Sequence, residues 1–283
     1  MATTISVDLI KKLRDRTGIG MGDCKKALEE TGGDIEGAID YLRKKGMASA
    51  AKKEERATNE GKIGFFETAD TIGIVEVNAE TDFVVQNDRF QEFVDQIAEE
   101  VAMTKPADLE AFMQQKFSKE SGMTIDEYRA TIIQTIGENI QIRRILVIPK
   151  TSDKSVGVYS HMGGKILTTV EISGASSEEE LAKNIAMHVA AASPEFLSPD
   201  TVPAEAIARE KEIGREQVKG KPEHVMEKIL EGKVAAFMKE SCLTNQPYIR
   251  DDKLSVSQVV EQRAKEGGKA LTITSFNRWS IGQ

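Results

Sequence analysis

Several things are scarce in this chain, and each scarcity excludes something. Only two cysteines, Cys24 and Cys242, occur in 283 residues. They stand far apart in helix-like stretches, which excludes a disulfide framework and points to reduced thiols in a cytoplasmic setting. The three histidines, His161, His188 and His224, are scattered. Without ligand spacing to one another or to the cysteines they predict no metal site. The spacing supports neither a Ser-His-Asp nor a Cys-His arrangement, which lowers an enzyme reading without excluding it, and no cofactor is expected. Apolar runs fall far short of the roughly 20 residues that cross a bilayer. The N-terminus also lacks a basic region followed by an apolar core, so neither membrane insertion nor export is expected. Aromatic residues make up 5% of the chain, which with abundant Ala, Glu, Lys and Ile points to a helix-rich protein.

What is present describes a folded chain of two or three modules: 40% hydrophobic and 30% charged residues over 283 positions suffice for a real core. Lys and Arg number 38 against 46 Asp and Glu, a net charge of −8, which argues against direct nucleic-acid binding. The charge is uneven. Residues 1–56 hold 12 basic and 10 acidic residues, leaving 26 against 36 for the rest. That surplus permits an N-terminal contact with an acidic surface, and equally describes a solvated helical face.

Periodicity divides the chain. Leu9, Ile10 and Leu13, then Cys24, Ala27 and Leu28, then Ile35, Ala38, Ile39 and Leu42 form three apolar stripes, predicting three short helices. Thr17-Gly18-Ile19-Gly20 and Thr31-Gly32-Gly33 end the first two, Asp34 caps the third, and Gly46 after two lysines is read as its stop. Residues 52–61 (KKEERATNEG) read as a linker. The period then alternates. Residues 62–66 and 72–78 predict a hairpin, Asn87 or Asp88 caps a helix carrying Phe90, Phe93, Val94, Ile97 and Val101, and further helices follow over 106–117 and from Thr124. Residues 142–148 close the unit as a strand. The order repeats with strands at 157–159 and 166–172, a helix over 178–192 and a strand over 270–281. Between them, 202–219 and 223–241 predict an antiparallel helical hairpin turned at Lys219-Gly220-Lys221-Pro222. The expected fold is α+β. A three-helix module with its linker occupies 1–55, and two related β-β-α-β subdomains occupy 56–150 and 151–201 plus 246–283. The hairpin is inserted at 202–245.

Three segments draw attention. Gly18-Ile19-Gly20-Met21-Gly22 lacks the preceding strand and the Gly-Lys-Ser/Thr ending of a phosphate loop, so a turn between helices explains it. Met21 is then either the start of a core stripe or an exposed, adaptable contact. Tyr159-Ser160-His161 sits at the turn of the second hairpin, as a solvated turn or a presented contact. Residues 78–85 (NAETDFVV) follow a strand as a loop with Phe83 between a carboxylate and two valines. Phe83 either plugs its own core or serves as an aromatic wedge for a partner.

Residues 13–28 (LRDRTGIGMGDCKKAL), 33–36 and 42–46, together with 76–84 (EVNAETDFV), resemble the two signature segments of the elongation factor Ts family. Weaker likeness continues through 137–144 (GENIQIRR), 159–161 and 185–190 (IAMHVA) and covers nearly the whole chain. The resemblance implies a ubiquitin-associated-like (UBA-like) N-terminal module and a non-enzymatic guanine-nucleotide exchange factor that binds the GTPase elongation factor Tu. It implies that Thr81, Asp82, Phe83 and Val84 form the loop that pushes Phe83 between helices of the GTPase near its Mg²⁺ site. Lys11, Arg14 and Met21 would touch the same GTPase domain, and His161 would be a further contact. Gly22 stands where some members have a second Met, and Ala79 where some have Cys. The sequence stops at Gln283 soon after the last strand, so a C-terminal helical module carried by some members is not expected. Whether the hairpin pairs with a second copy is left open. Two other classes stand beside this one. An interaction module acting through residues 1–46 on ubiquitin-like or nascent chains leaves residues 81–84 without a role. An enzyme using Asp82 or His161 would turn over without any GTPase.

Overall fold

The computed structural model describes residues 5–120, 122–217 and 222–283. It is an α+β protein in two compact units, Met1–Pro149 with Ile281–Gln283, and Lys150–Ser280.

The first unit opens with α1 (Val7–Thr17), α2 (Met21–Glu30) and α3 (Ile35–Lys53). Each begins or ends where the local chemistry dictates. The Ser6 hydroxyl accepts from the Leu9 amide at 3.2 Å, Asp34 accepts from the Glu36 and Gly37 amides, and Gly18 closes α1 at φ 66°. The stripes converge on a small core of Ile10, Leu13, Ile19, Cys24, Ala27, Leu28, Ala38 and Leu42.

One expected stop is overturned. Helix α3 runs through Gly46 to Lys53, taking the first residues of the expected linker into the helix. Gly46 is buried against the helix Ile125–Ile136. A Cβ there would lie 3.0 Å from Gln134 Oε1 and 3.4 Å from the Ala130 carbonyl. It is a point of close approach, and Met47 and Ala50 beyond it join the neighbouring core.

Strands β1 (Glu60–Glu67) and β2 (Thr71–Ala79) form the expected hairpin. They are followed by α4 (Asp82–Val85), α5 (Asp88–Thr104), α6 (Leu109–Gln114), α7 (Ile125–Ile136) and β3 (Ile140–Pro149). The sheet is antiparallel in the order β1-β2-β3. Phe90, Phe93, Val94, Ile97 and Val101 of α5 are fully buried in its core. The helix expected over 106–117 shrinks to α6, capped by Asp108. Thr124 and Glu127 form the expected capping box of α7.

The second unit repeats the plan. Strands β4 (Lys154–His161) and β5 (Ile166–Ser173) lead to α8 (Glu179–Ala192), and β8 (Thr272–Ser280) completes an antiparallel sheet in the order β4-β5-β8. In both sheets the second strand lies in the centre. The inserted helices α9 (Ala204–Gln217) and α10 (Glu223–Ser241) pack on each other, with Gly214 against Leu230 and Lys233. The turn expected at 219–222 lies, apart from Pro222, outside the described residues. After α10 come β6 (Pro247–Tyr248), β7 (Asp251–Ser255) and α11 (Val256–Gly267), none of which the periodicity had suggested. His188 is buried here. The Ile249 amide donates to its Nδ1 at 3.3 Å, so its Nε2 carries the proton toward Gln246 Oε1 at 2.9 Å.

Candidate partner-binding surfaces

Residues 81–84 are not a loop. Asp82–Val85 is a single helical turn, because Thr81 sits in extended conformation (φ −129°, ψ 156°) and its hydroxyl accepts the Val84 amide at 3.4 Å. Successive residues of a helix point about 100° apart, so four residues cannot share one direction. Val84 and Val85 turn into the core, at 9% and 4% exposure, and Phe83 points outward at 85%. The reading of Phe83 as a plug for its own core is therefore excluded. Asp82 is exposed too and makes no ion pair with any described residue.

The turn is held from several sides. The Thr81 amide and hydroxyl donate to the two carboxylate oxygens of Glu138 at 3.0 and 2.8 Å. Glu80 accepts the Asn139 amide at 2.6 Å and Arg56 Nη1 at 3.3 Å. Asn139 is buried and donates through Nδ2 to the carbonyls of Glu54 and Arg56. On the other side Gln91 Nε2 donates to the Val85 carbonyl, and Gln91 Oε1 accepts from Lys62 Nζ.

In the N-terminal module Lys11, Arg14 and Met21 are all exposed. Arg14 is paired with its neighbour Asp15 at 2.9 Å, and Met21 begins α2 at 37% exposure, which settles it as a surface residue. Arg89, at the start of α5, donates to the Gly18 carbonyl at 2.7 Å and so ties the turn before Met21 to the segment after Phe83. One shallow groove is lined by Arg14, Gly18, Gly20 and Arg89. Another is lined by Gly18, Gly20, Phe83 and Arg89. Arg14 and Phe83 thus flank a common turn, whereas Lys11 lines neither groove.

In the second unit His161 ends β4 and pairs with Ile166, so it belongs to the strand end, and the turn itself is Met162–Gly164. Tyr159 Oη lies 3.1 Å from His161 Nδ1, with the rings stacked 5.8 Å apart. Met162 beside them is 65% exposed at φ 52°. The supports Glu138 and Arg89 escaped sequence reasoning. Nothing local to either residue signals a partner 57 or 71 positions away.

Among the described residues no group of three or more His, Cys, Asp or Glu is placed to hold a metal, and no helix is long and apolar enough to cross a membrane. Burial pushes both thiols, Cys24 and Cys242, above their ordinary pKa, which keeps them protonated and unreactive.

The site so described is a surface, not a pocket: an aromatic side chain is held out on an anchored turn, beside a helical module tied to the same core. The comparisons give the family. The family model described as "Elongation factor TS" matches residues 80–283. Elongation factor Ts of Protochlamydia amoebophila is 59% identical over 275 residues, 97% of this chain and 98% of that protein. Those of Chlamydia pneumoniae and Chlamydia felis are 45% and 44% identical over 98% and 99% of both chains. The chain belongs to the elongation factor Ts family, the guanine-nucleotide exchange factors of translation elongation.

Proposed function

We propose that the chain binds elongation factor Tu in the cytoplasm and speeds GDP release by disturbing the Mg²⁺ and phosphate site of that GTPase, with Phe83 as the wedge. The observation that supports this reading most is the outward, anchored presentation of Phe83 at 85% exposure. A nucleotide bound at nanomolar affinity is held by about 12 kcal/mol, and Mg²⁺ bridging its phosphates supports that grip. A factor that prefers the nucleotide-free or distorted GTPase weakens nucleotide binding by the same ratio, because coupling between two ligands is reciprocal.

Speeding release by about 10⁴ requires roughly 5.5 kcal/mol of differential stabilisation at the barrier. Burying one Phe supplies about 1.5–3 kcal/mol, so Phe83 shares the load. Lys11, Arg14 and Met21 contribute from the N-terminal module, and His161 from the end of β4. Asp82 positions the wedge or meets a cation of the partner. One carboxylate on one turn makes a poor cage for Mg²⁺, so it is not assigned as a ligand. No covalent bond changes in this scheme, and the chain acts only on a dissociation rate.

The test follows release of labelled GDP from elongation factor Tu with the wild-type chain and with Phe83→Ala. A loss of about tenfold or more in kcat/KM is expected. An unchanged rate discards the wedge.

A further inference from the structure

We propose that Glu138 is a positioning residue for the exchange reaction, setting the direction in which α4 presents Phe83. The inference deepens the function proposed above and rests on it. Glu138 lies in the link between α7 and β3, 57 residues from Thr81 in sequence, and its two carboxylate oxygens take the Thr81 amide at 3.0 Å and hydroxyl at 2.8 Å.

A helix of four residues has no stability of its own, since nucleation costs more than one turn returns. It has to be set from outside. Val84 and Val85 fix the inward side of α4, and Gln91 holds its exit at the Val85 carbonyl. The entry is where Glu138 acts. The Thr81 hydroxyl donates to Glu138 and accepts the Val84 amide, so a continuous chain of hydrogen bonds runs from the carboxylate into the helix and past Phe83.

The neighbouring pair strengthens the geometry. Glu80 accepts the Asn139 amide, so residues 80–81 and 138–139 each give the other a carboxylate for a backbone N–H. Asn139 is in turn pinned by the Glu54 and Arg56 carbonyls. Hydrogen bonds to a charged acceptor are the stronger kind, and two on one carboxylate fix orientation as well as distance.

The experiment uses the full chain with elongation factor Tu and the variants Glu138→Ala, Glu138→Gln, Phe83→Ala and Phe83→Ala/Glu138→Ala. Release of labelled GDP, urea unfolding, and the ¹⁹F resonance of fluorophenylalanine at position 83 in the free chain are measured. Glu138→Ala should slow catalysed release about tenfold, with Glu138→Gln, which keeps one acceptor, between it and wild type. In the Phe83→Ala background the same change should cost less than about twofold, whereas its cost in urea should be equal in both backgrounds. The ¹⁹F resonance should shift or broaden in Glu138→Ala.

An equal loss of exchange with and without Phe83, or an unmoved resonance in a folded variant, overturns the assignment. Should Glu138→Ala fail to fold, Glu138→Gln carries the same two readouts. Wild-type exchange by Phe83→Ala alone would instead sink the wedge, and the resonance would still decide whether Glu138 orients the ring.

Discussion

Three glycines of the second unit, changed to alanine one at a time, should give three different outcomes, because each sits in a different environment. At Gly157 in β4 an added Cβ would lie 2.1 Å from the Lys183 amide nitrogen, 2.2 Å from the Ala182 carbonyl carbon and 2.6 Å from Lys183 Cα. All three are backbone atoms of α8, so no rotamer relieves the clash. Helix and sheet must part by about 1.4 Å to restore a contact near 3.5 Å. Overpacking with freedom to adjust costs about 1–3 kcal/mol, so a loss of about 3 kcal/mol or more is expected here. At Gly163, in the turn after β4, no described atom lies within 4 Å but φ is +68°. Only the left-handed backbone is penalised, at about 1–2 kcal/mol. At Gly232 in α10 there is neither a neighbour within 4 Å nor a positive φ, so alanine should stabilise by about 0.5–1 kcal/mol through helix propensity. The single tryptophan, Trp279, lies in β8, and its fluorescence in urea reports on this unit. A Gly157→Ala variant within about 1 kcal/mol of wild type would refute the close packing of α8 on β4, and a stabilised Gly163→Ala would refute the strain argument.

Other expectations concern neighbouring residues and pH. Phe83→Ala should leave urea stability within about 0.5 kcal/mol of wild type, while Val85→Ala, from the same turn at 4% exposure, should cost about 1–3 kcal/mol. Arg89→Ala, which frees the Gly18 carbonyl, should weaken association with elongation factor Tu in titration while leaving the maximal release rate near wild type; a change in the rate alone would contradict it. Burial holds the His188 pKa below its ordinary 6.5, so the unfolded chain takes up a proton near pH 6.5 that the folded chain resists. Stability should therefore be full above that pH and fall as pH drops through it, and His188→Gln should flatten the slope between pH 7.5 and 5.5 in Trp279-monitored unfolding.

Much of this fold was legible because its signals are local. The stripes of α1, α2 and α5, the caps at Asp34, Asn87 and Thr124, and both hairpins need only a few neighbouring residues to be read. Gly46 misled because a glycine after two lysines is a common helix end, and the reason for this one lies across space at Ala130 and Gln134. Helix α11 carries a weaker local signal, a capping box of Ser255 and Gln258 with Val256 and Val260 buried. Of the site, the sequence 81–84 stood out but its geometry did not. Phe83, Val84 and Val85 are all apolar, and which of them faces outward follows from a helical turn that Thr81 caps and Glu138 meets through Thr81. No periodicity reports a bond between residues 57 apart.

That distant bond also decides whether a wedge can work. Ordering the backbone of one residue costs about 1–2 kcal/mol, so four residues of a floppy loop, from Thr81 to Val84, would cost about 4 kcal/mol or more to order on docking. Burying the ring returns about 1.5–3 kcal/mol, and a flexible loop carrying the same Phe would lose more than it gained. Here the ordering has been met during folding, by two valines in the core and by carboxylates on the turn's entry. In the proposed wedge role, most of the ring's burial would then be left to act on the partner. The sequence of the turn alone therefore should not transfer the activity. Grafting residues 81–84 onto an unrelated loop should give a segment that binds elongation factor Tu feebly and does not accelerate GDP release, and fast release from such a graft would show that the scaffold is dispensable.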